Sequence, residues 1–388
     1  MAQPTERYDF IVIGAGIAGA SAAYELAGAG ASVLVLEAET APGYHATGRS
    51  AAVFCESRGN PVIQALARAS RPFFDRPPKG FGGSGARLLT PRPALHVATI
   101  EQLPALQFLF AQLRPGPSRL ELHDGEFARQ RVPALRPDVV SACLWDPNAQ
   151  EIDVHGLLQG YVKGSRHRGA KLEFSMRVTQ LRRIADGWVV ACGEHRFEGS
   201  TIVNAAGAWA DAVADLAGAS QIGLEPRKRN ACIVAPSACG AVRNWSVVFD
   251  VGGQFYFKPD VDRLLVSPED EIPSEPCDAH PDAESIALGV HRVQQVAELE
   301  FRTKPVAAWA GLRSFVRDEG PVVGFDPQVE GLFWIAGQGG SGIKTAPAIA
   351  RLAAALATHR SVPGDLDELG MSVRDLSPQR LTAPAPAT

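Results

Sequence analysis

The sequence predicts an α/β fold: a Rossmann-like FAD-binding domain of the glutathione-reductase-like kind, carrying a β-rich α+β substrate domain. Three observations predict it. A strand–glycine turn–helix–strand unit opens the chain. A second glycine-rich turn precedes a helix near its end. Between them, residues 222–270 alternate apolar and polar with Gly and Pro punctuation, the pattern of a sheet with one buried face.

The first unit reads in order. Tyr8–Ile13 (YDFIVI) is a short buried strand. Gly14-Ala15-Gly16-Ile17-Ala18-Gly19 follows, then an alanine-rich helix over 20–29 and a strand over 31–36 that ends on Glu37. Each glycine has a task in a dinucleotide site. Gly14 permits the tight turn, Gly16 lets the backbone approach a pyrophosphate, and Gly19 lets helix and strand pack closely. The phosphates would lie at the helix N-terminus with Ile17 and Ala18, where free N–H groups point outward. Glu37, 18 positions after Gly19, is placed to accept from ribose hydroxyls and argues against a 2′-phosphate.

Further along, helices are expected at about 100–114 and 152–164, the latter starting after Asp153. Strands alternate from 171 to 204 with a hairpin turn at Asp186-Gly187, and a helix follows over 208–216. Gly331–Ala336 is a last strand. Gly337-Gln338-Gly339-Gly340-Ser341-Gly342 then leads through Ile343 and Lys344 into a helix over 345–358. Such a helix end can face the pyrimidine carbonyl of a reduced flavin, so the second turn favours FAD over a nicotinamide cofactor. The order implies a discontinuous FAD-binding domain over 1–78, 146–220 and 306–370, a substrate domain over 79–145 and 221–305, and a flexible Pro/Ala-rich tail over 377–388.

Composition narrows the class. The 388 residues carry a net charge of −4, with 46% hydrophobic and 21% charged residues, well mixed. Nothing resembles the basic stripe of a nucleic-acid binder. The six cysteines show no CxxC pair and the nine histidines no metal spacing, so no metal is expected. No apolar run is long enough to span a bilayer and no signal peptide is seen. The expected location is the cytoplasm, with peripheral attachment at the inner membrane left open.

Several segments then carry a resemblance. Gly43-Tyr44-His45-Ala46-Thr47-Gly48-Arg49-Ser50-Ala51-Ala52 is similar to the flavin-contacting loop of the D-amino acid oxidase-like superfamily, within it most like the bacterial D-arginine dehydrogenase branch. Asp146-Pro147, Ile152-Asp153, Val203–Trp209, Tyr256–Pro259 and Trp309–Phe315 agree in the same order, so the resemblance spans nearly the whole chain.

The resemblance implies roles. Arg229 and Arg313 match arginines that hold a substrate carboxylate, which suits the bidentate guanidinium. Tyr256 matches a tyrosine that closes on that carboxylate, and Gly311 a carbonyl that accepts from the amine. His45, Thr47, Gly48, Arg49, Ser50 and Ala51 match the flavin loop. Val178 matches the adenine contact, and Ala206, Gly207 and Trp209 a further stretch of the cofactor site. The C-terminal glycines, Gly337, Gly339, Gly340 and Gly342, complete it. FAD is expected to be noncovalent, since no cysteine follows Cys277 and the D-arginine branch carries an unlinked histidine at His45.

Departures bear on the substrate. Ala94 stands where the D-arginine branch has an acid, and Arg58 and Val53 replace an aromatic and a histidine. A cationic substrate is therefore disfavoured. Val53, Ala94, Val247 and Phe249 would line an apolar pocket; Arg58, if it points inward, would instead favour an acidic substrate, and otherwise it is an exposed loop arginine. The expected activity is FAD-dependent oxidative deamination of a free D-amino acid, neutral or hydrophobic, to its 2-oxo acid through an imine, by hydride transfer from Cα to flavin N5. Oxidation of a secondary amine of the glycine or sarcosine type, or of a 2-hydroxy acid, is the alternative. A flavin-binding subunit of a larger amine dehydrogenase complex is the second. Oxygen or a quinone as electron acceptor, and the oligomeric state, stay open.

Overall fold

The computed structural model describes residues 6–82, 87–113, 119–237, 242–301 and 304–382. Strand Arg7–Ile13 is buried on both faces from Phe10 onward, as a strand with helices on one side and a sheet layer on the other must be. It pairs in parallel with Val33–Leu36 on one side and with residues 198–204 of strand His195–Asn204 on the other. Leu332–Ala336 continues the parallel set beside Ile202–Asn204. With Gln180–Ile184, Gly187–Cys192, Lys171–Glu173 and Val322–Phe325 these make an eight-stranded sheet.

Helix Ile17–Gly28 lies on this sheet, packed by Val154–His167 and Gly342–Ala357. Small residues make that packing possible. In Ile17–Gly28 alone, Gly19, Ala20, Ala22 and Ala23 are buried. An added Cβ at Gly19 would lie 1.9 Å from the Gly14 carbonyl oxygen, and one at Gly164 would lie 2.5 Å from the Tyr24 ring. The helix at Val154 begins after Asp153, whose carboxylate accepts from Gly156 N at 2.8 Å, an ordinary N-cap.

A second, nine-stranded sheet makes up much of the expected substrate side. Its axis is strand Glu225–Val234, antiparallel to Ala307–Phe315 along its length and to Arg263–Ser267. Tyr256–Asp260 and Val247–Asp250 extend it. The alternation over 222–270 predicts an antiparallel sheet, and most of it is. Val247–Asp250, however, runs parallel to Ala94–Ala98, because the chain reaches that edge through a long excursion and not a hairpin.

Two boundaries move. Ala307–Phe315, placed by the sequence in the cofactor domain, is bonded into the substrate sheet. Residues 377–382, placed in a flexible tail, include the short helix Gln379–Thr382, where Arg380 pairs with Asp318 at 2.7 Å. Residues 383–388 lie outside the described residues, as does Cys239. Among the described residues, no helix is long and apolar enough to cross a membrane.

Lys344 ties helix Gly342–Ala357 to the loop over 55–58. Its side chain enters the interior at 5% exposure and donates to the Cys55 carbonyl at 2.9 Å and the Arg58 carbonyl at 2.6 Å. Burial lowers its ammonium from 10.5 to about 8.

Two predictions follow from this packing. Gly19→Ala forces backbone apart from backbone and should cost about 3 kcal/mol, seen as a lower urea midpoint with loss of bound cofactor. An unchanged midpoint would refute the close approach. Lys344→Met leaves two inward carbonyls unpaired and should cost about 2–3 kcal/mol. The folded protein also releases the Lys344 proton before the unfolded chain does. Stability from this group therefore rises as pH goes from about 8 to 10.5, and that slope should vanish in Lys344→Met on comparing melts across the range.

Candidate active site

The site lies at the carboxyl ends of the parallel strands, where ligands of open α/β sheets bind. Gly14 takes φ +102°, and a Cβ there would meet the Ala205 carbonyl oxygen at 2.6 Å. Gly16 caps the first helix without a side-chain bond, so the opening amides face the groove. Of these, Ile17 N–H is taken by Thr47 Oγ1 at 3.0 Å. A cleft there is lined by Gly14, Gly16, Glu37, His45, Val178 and Trp209, among others, with Ala206 and Gly207 on its floor. The Glu37 carboxylate accepts from Ala15 N at 2.6 Å and from Glu39 N at 2.9 Å, which fixes it at the strand end with lone pairs to spare. His45 Nε2 lies 3.0 Å from Glu39 Oε1, and its ring lies 4.6 Å from that of Trp209. Its Nδ1 is buried without a partner.

A second cleft shares Ala46, Thr47, Arg49, Gly207 and Ala208 with the first, so the two form one continuous groove. Ile17, Ala18, Ser50 and Ala51 line one side of it, and Gly337, Gly339, Gly340, Gly342 and Ile343 the other. The loop over 43–50 is a compact turn, closed by Gly48 N donating to Gly43 O at 2.7 Å. Arg49 anchors it to the substrate sheet by donating to Ala279 O at 2.8 Å and Ala310 O at 3.0 Å, and by pairing with Asp278. Trp309 Nε1 returns a bond to Arg49 O at 3.0 Å.

The second glycine turn is shaped by close approach. Gly339 takes φ +50°, and a Cβ there would lie 2.5 Å from the Phe315 ring. Ser341 provides no side-chain cap to helix Gly342–Ala357, so its first amides also face the groove. Gln338 Nε2 is buried there without a partner. The groove thus has a positive helix end in each half, a carboxylate at the far end and an orphan donor beside the second turn. That donor set fits FAD: the helix end at Gly16 would hold the pyrophosphate, Glu37 the ribose, and Gly339–Ile343 the flavin pyrimidine.

Beyond the second turn sit the predicted carboxylate residues. In the ladder Arg229 lies opposite Gly311, and Arg313 opposite Arg227. The two-residue offset puts Arg229 and Arg313 on the same face, and both line the groove with Tyr256 and Gly311. Arg313 is partly buried, and desolvation and then the Arg229 charge lower its guanidinium to about 10. Among the described residues, no carboxylate lies within ion-pair distance of it. A Cβ at Gly340 would come within 3.0 Å of its Nη1, so Arg313 lies directly over the second turn. Burial raises the Tyr256 hydroxyl above its ordinary value.

The expected apolar pocket is closed. Ala94 and Val247 are 0% exposed, and with Phe249, Ala149, Ile233 and Leu265 they pack into a filled cluster, Val53 lying against it. The reason is the parallel register Val247↔Ala94, which sets a small side chain beside a β-branched one while the Phe249 and Leu265 side chains occupy the remaining space. Only Tyr256 and Ala231 of this cluster, with Ala51 and Trp309 from its margin, reach the groove. Three predicted cofactor residues do not line it: Gly19 packs on Gly14, Gly48 closes its own loop, and the Lys344 side chain points to the Cys55 and Arg58 carbonyls.

Arg58 is 39% exposed, lies 4.2 Å over the Phe249 ring and pairs with Glu269 at 3.1 Å. Glu269 and Glu271 are absent from the sequence reading. Glu269 Oε1 lies 3.5 Å from Arg229 Nη1, and Glu271 lies 2.9 Å from Arg229 Nη2. The signal available was the acidic run Glu269-Asp270-Glu271 after one strand, facing the basic run Arg227-Lys228-Arg229 of its neighbour.

Comparison with known proteins agrees with this geometry. The model of the FAD dependent oxidoreductase (DAO) family matches residues 9–356. The chain is 24% identical to the mitochondrial dimethylglycine dehydrogenase of Rattus norvegicus over 94% of its own length and 44% of that protein's. It therefore spans less than half of the dimethylglycine dehydrogenases it matches. It is 24% identical to the glycine oxidase of Geobacillus kaustophilus over 93% of this chain and 96% of that one. The crystal structure of L-proline dehydrogenase from P. horikoshii superposes with a TM-score of 0.82 at 22% identity, covering 97% and 98% of the two chains. These matches support the family as a whole and not the D-arginine dehydrogenase branch in particular. The chain belongs to the DAO family of FAD-dependent oxidoreductases.

Proposed function

We propose that this chain oxidises the carbon–nitrogen bond of a small amine bearing a carboxylate, of the glycine or N-substituted glycine class. The observation that carries this reading is Arg313: a partly buried guanidinium with no carboxylate within ion-pair distance among the described residues, beside Arg229, at the end of the groove that suits FAD. Such a charge is costly unless an anion completes it. The closed cluster behind Tyr256 supports a small substrate over the bulky hydrophobic D-amino acid expected from the sequence. Relatives named glycine oxidase and dimethylglycine dehydrogenase are consistent with this size class.

Arg313 grips the carboxylate, Arg229 adds positive charge beside it, and Tyr256 donates to it. The Gly311 carbonyl accepts from the amine, which directs Cα–H across the groove. Bound FAD supplies the two-electron acceptor for hydride. Solvent takes the amine proton, so no side-chain base is assigned. The imine product leaves to hydrolyse, giving a 2-oxo acid and either ammonia or an alkylamine.

Anaerobic loss of visible flavin absorbance, measured with a panel of amines, tests the proposal. Glycine, sarcosine or dimethylglycine should reduce the enzyme at least about tenfold faster than D-leucine or D-arginine. Fastest reduction by D-leucine would overturn the size argument. Reduction by 2-hydroxy acids alone would overturn amine oxidation.

A further inference from the structure

Glu269 is the unexplained group of the site. Its side chain is 7% exposed, and its backbone adopts φ +51°, a left-handed conformation uncommon outside glycine. Oε1 bridges Arg58 Nη2 at 3.1 Å and Arg229 Nη1 at 3.5 Å. Oε2 is buried with no partner, and so is Arg229 Nε. A carboxylate that only stabilised the fold would use both oxygens, since an unpaired one is expensive to bury. This one is instead held where a free carboxylate would bind, between two guanidinium groups next to the groove.

We propose that Glu269 is a specificity-determining residue, an internal carboxylate that fills a latent second carboxylate site formed by Arg58 and Arg229. The inference rests on the carboxylate-binding reading of Arg313. The pairing fits it: Glu269 takes up Arg58 and Arg229, and Glu271 is shared between Arg229 and Arg227. A monocarboxylate meets Arg313, which of Arg58, Arg229 and Arg313 is the one guanidinium without a carboxylate partner among the described residues. A dicarboxylate would have to displace Glu269 from two arginines, and so is rejected. Specificity thus comes from a built-in competitor as well as from the contacts offered. Arg58 belongs to the device through Phe249, whose ring holds its guanidinium in place at 4.2 Å.

Removing the side chain should open the latent site. Glu269→Gly does so and also suits the positive φ, so the variant keeps its fold. Glu269→Gln keeps the shape, and its amide still occupies the space. Dissociation constants for acetate and malonate, read from the perturbation of the flavin spectrum, need no turnover. In the native enzyme acetate should bind and malonate should bind no better. In Glu269→Gly the preference for malonate over acetate should rise at least about tenfold. It should stay near native in Glu269→Gln, and fall back when Arg58→Met is added to Glu269→Gly. If both anions tighten equally in Glu269→Gly, the residue only sets net charge and the proposal is wrong. If malonate gains as much in Glu269→Gln, the blocking role is wrong. Failure of acetate to bind the native protein removes the carboxylate site itself, and both readings fall.

Discussion

The pairing of Glu225–Val234 with Ala307–Phe315 is the constraint on which the site depends. It fixes Arg229 opposite Gly311 and sets Arg313 two positions along on the same face. The second strand then delivers Phe315 against Gly339, so one ladder aligns the two arginines with the second glycine turn. A slip of one residue would put the two arginines on opposite faces. Nine register pairs and the Arg49 clamp to Ala279 and Ala310 hold that register.

The cofactor side is governed by close backbone approach. Gly14 sits against Ala205, and Gly19 against Gly14, which brings the helix end up to the groove, where Thr47 and Glu37 take the Ile17 and Ala15 amides. The two halves are thus built on different physics. The nucleotide half excludes a Cβ at Gly14 and Gly19 so that backbone can meet backbone. The other half gathers Arg58, Arg229 and Arg313, of which Arg313 alone has no carboxylate within ion-pair distance among the described residues.

Much of this was legible in the sequence because its signals are local. Gly14, Gly16, Gly19 and Glu37 lie in one supersecondary unit, and Gly337–Gly342 in another, so spacing alone locates them. Tyr256, Arg229 and Arg313 were reached through family resemblance and not through pattern, since their meeting depends on strand register. The substrate pocket was misread for the same reason. Ala94 and Val247 are far apart in sequence, and their parallel pairing closes the space that a smaller side chain seemed to open. Glu269 was invisible as a functional residue: an acid in a loop reads as solvated until the fold brings Arg58 and Arg229 to it.

The most direct measurement is the affinity of acetate for the FAD-loaded protein with and without the Arg313 guanidinium. Acetate should perturb the native flavin spectrum, and Arg313→Met should weaken that binding by about a hundredfold while FAD stays bound. Equal affinity in the two proteins would show that the anion is held elsewhere, and would contradict the account of the site.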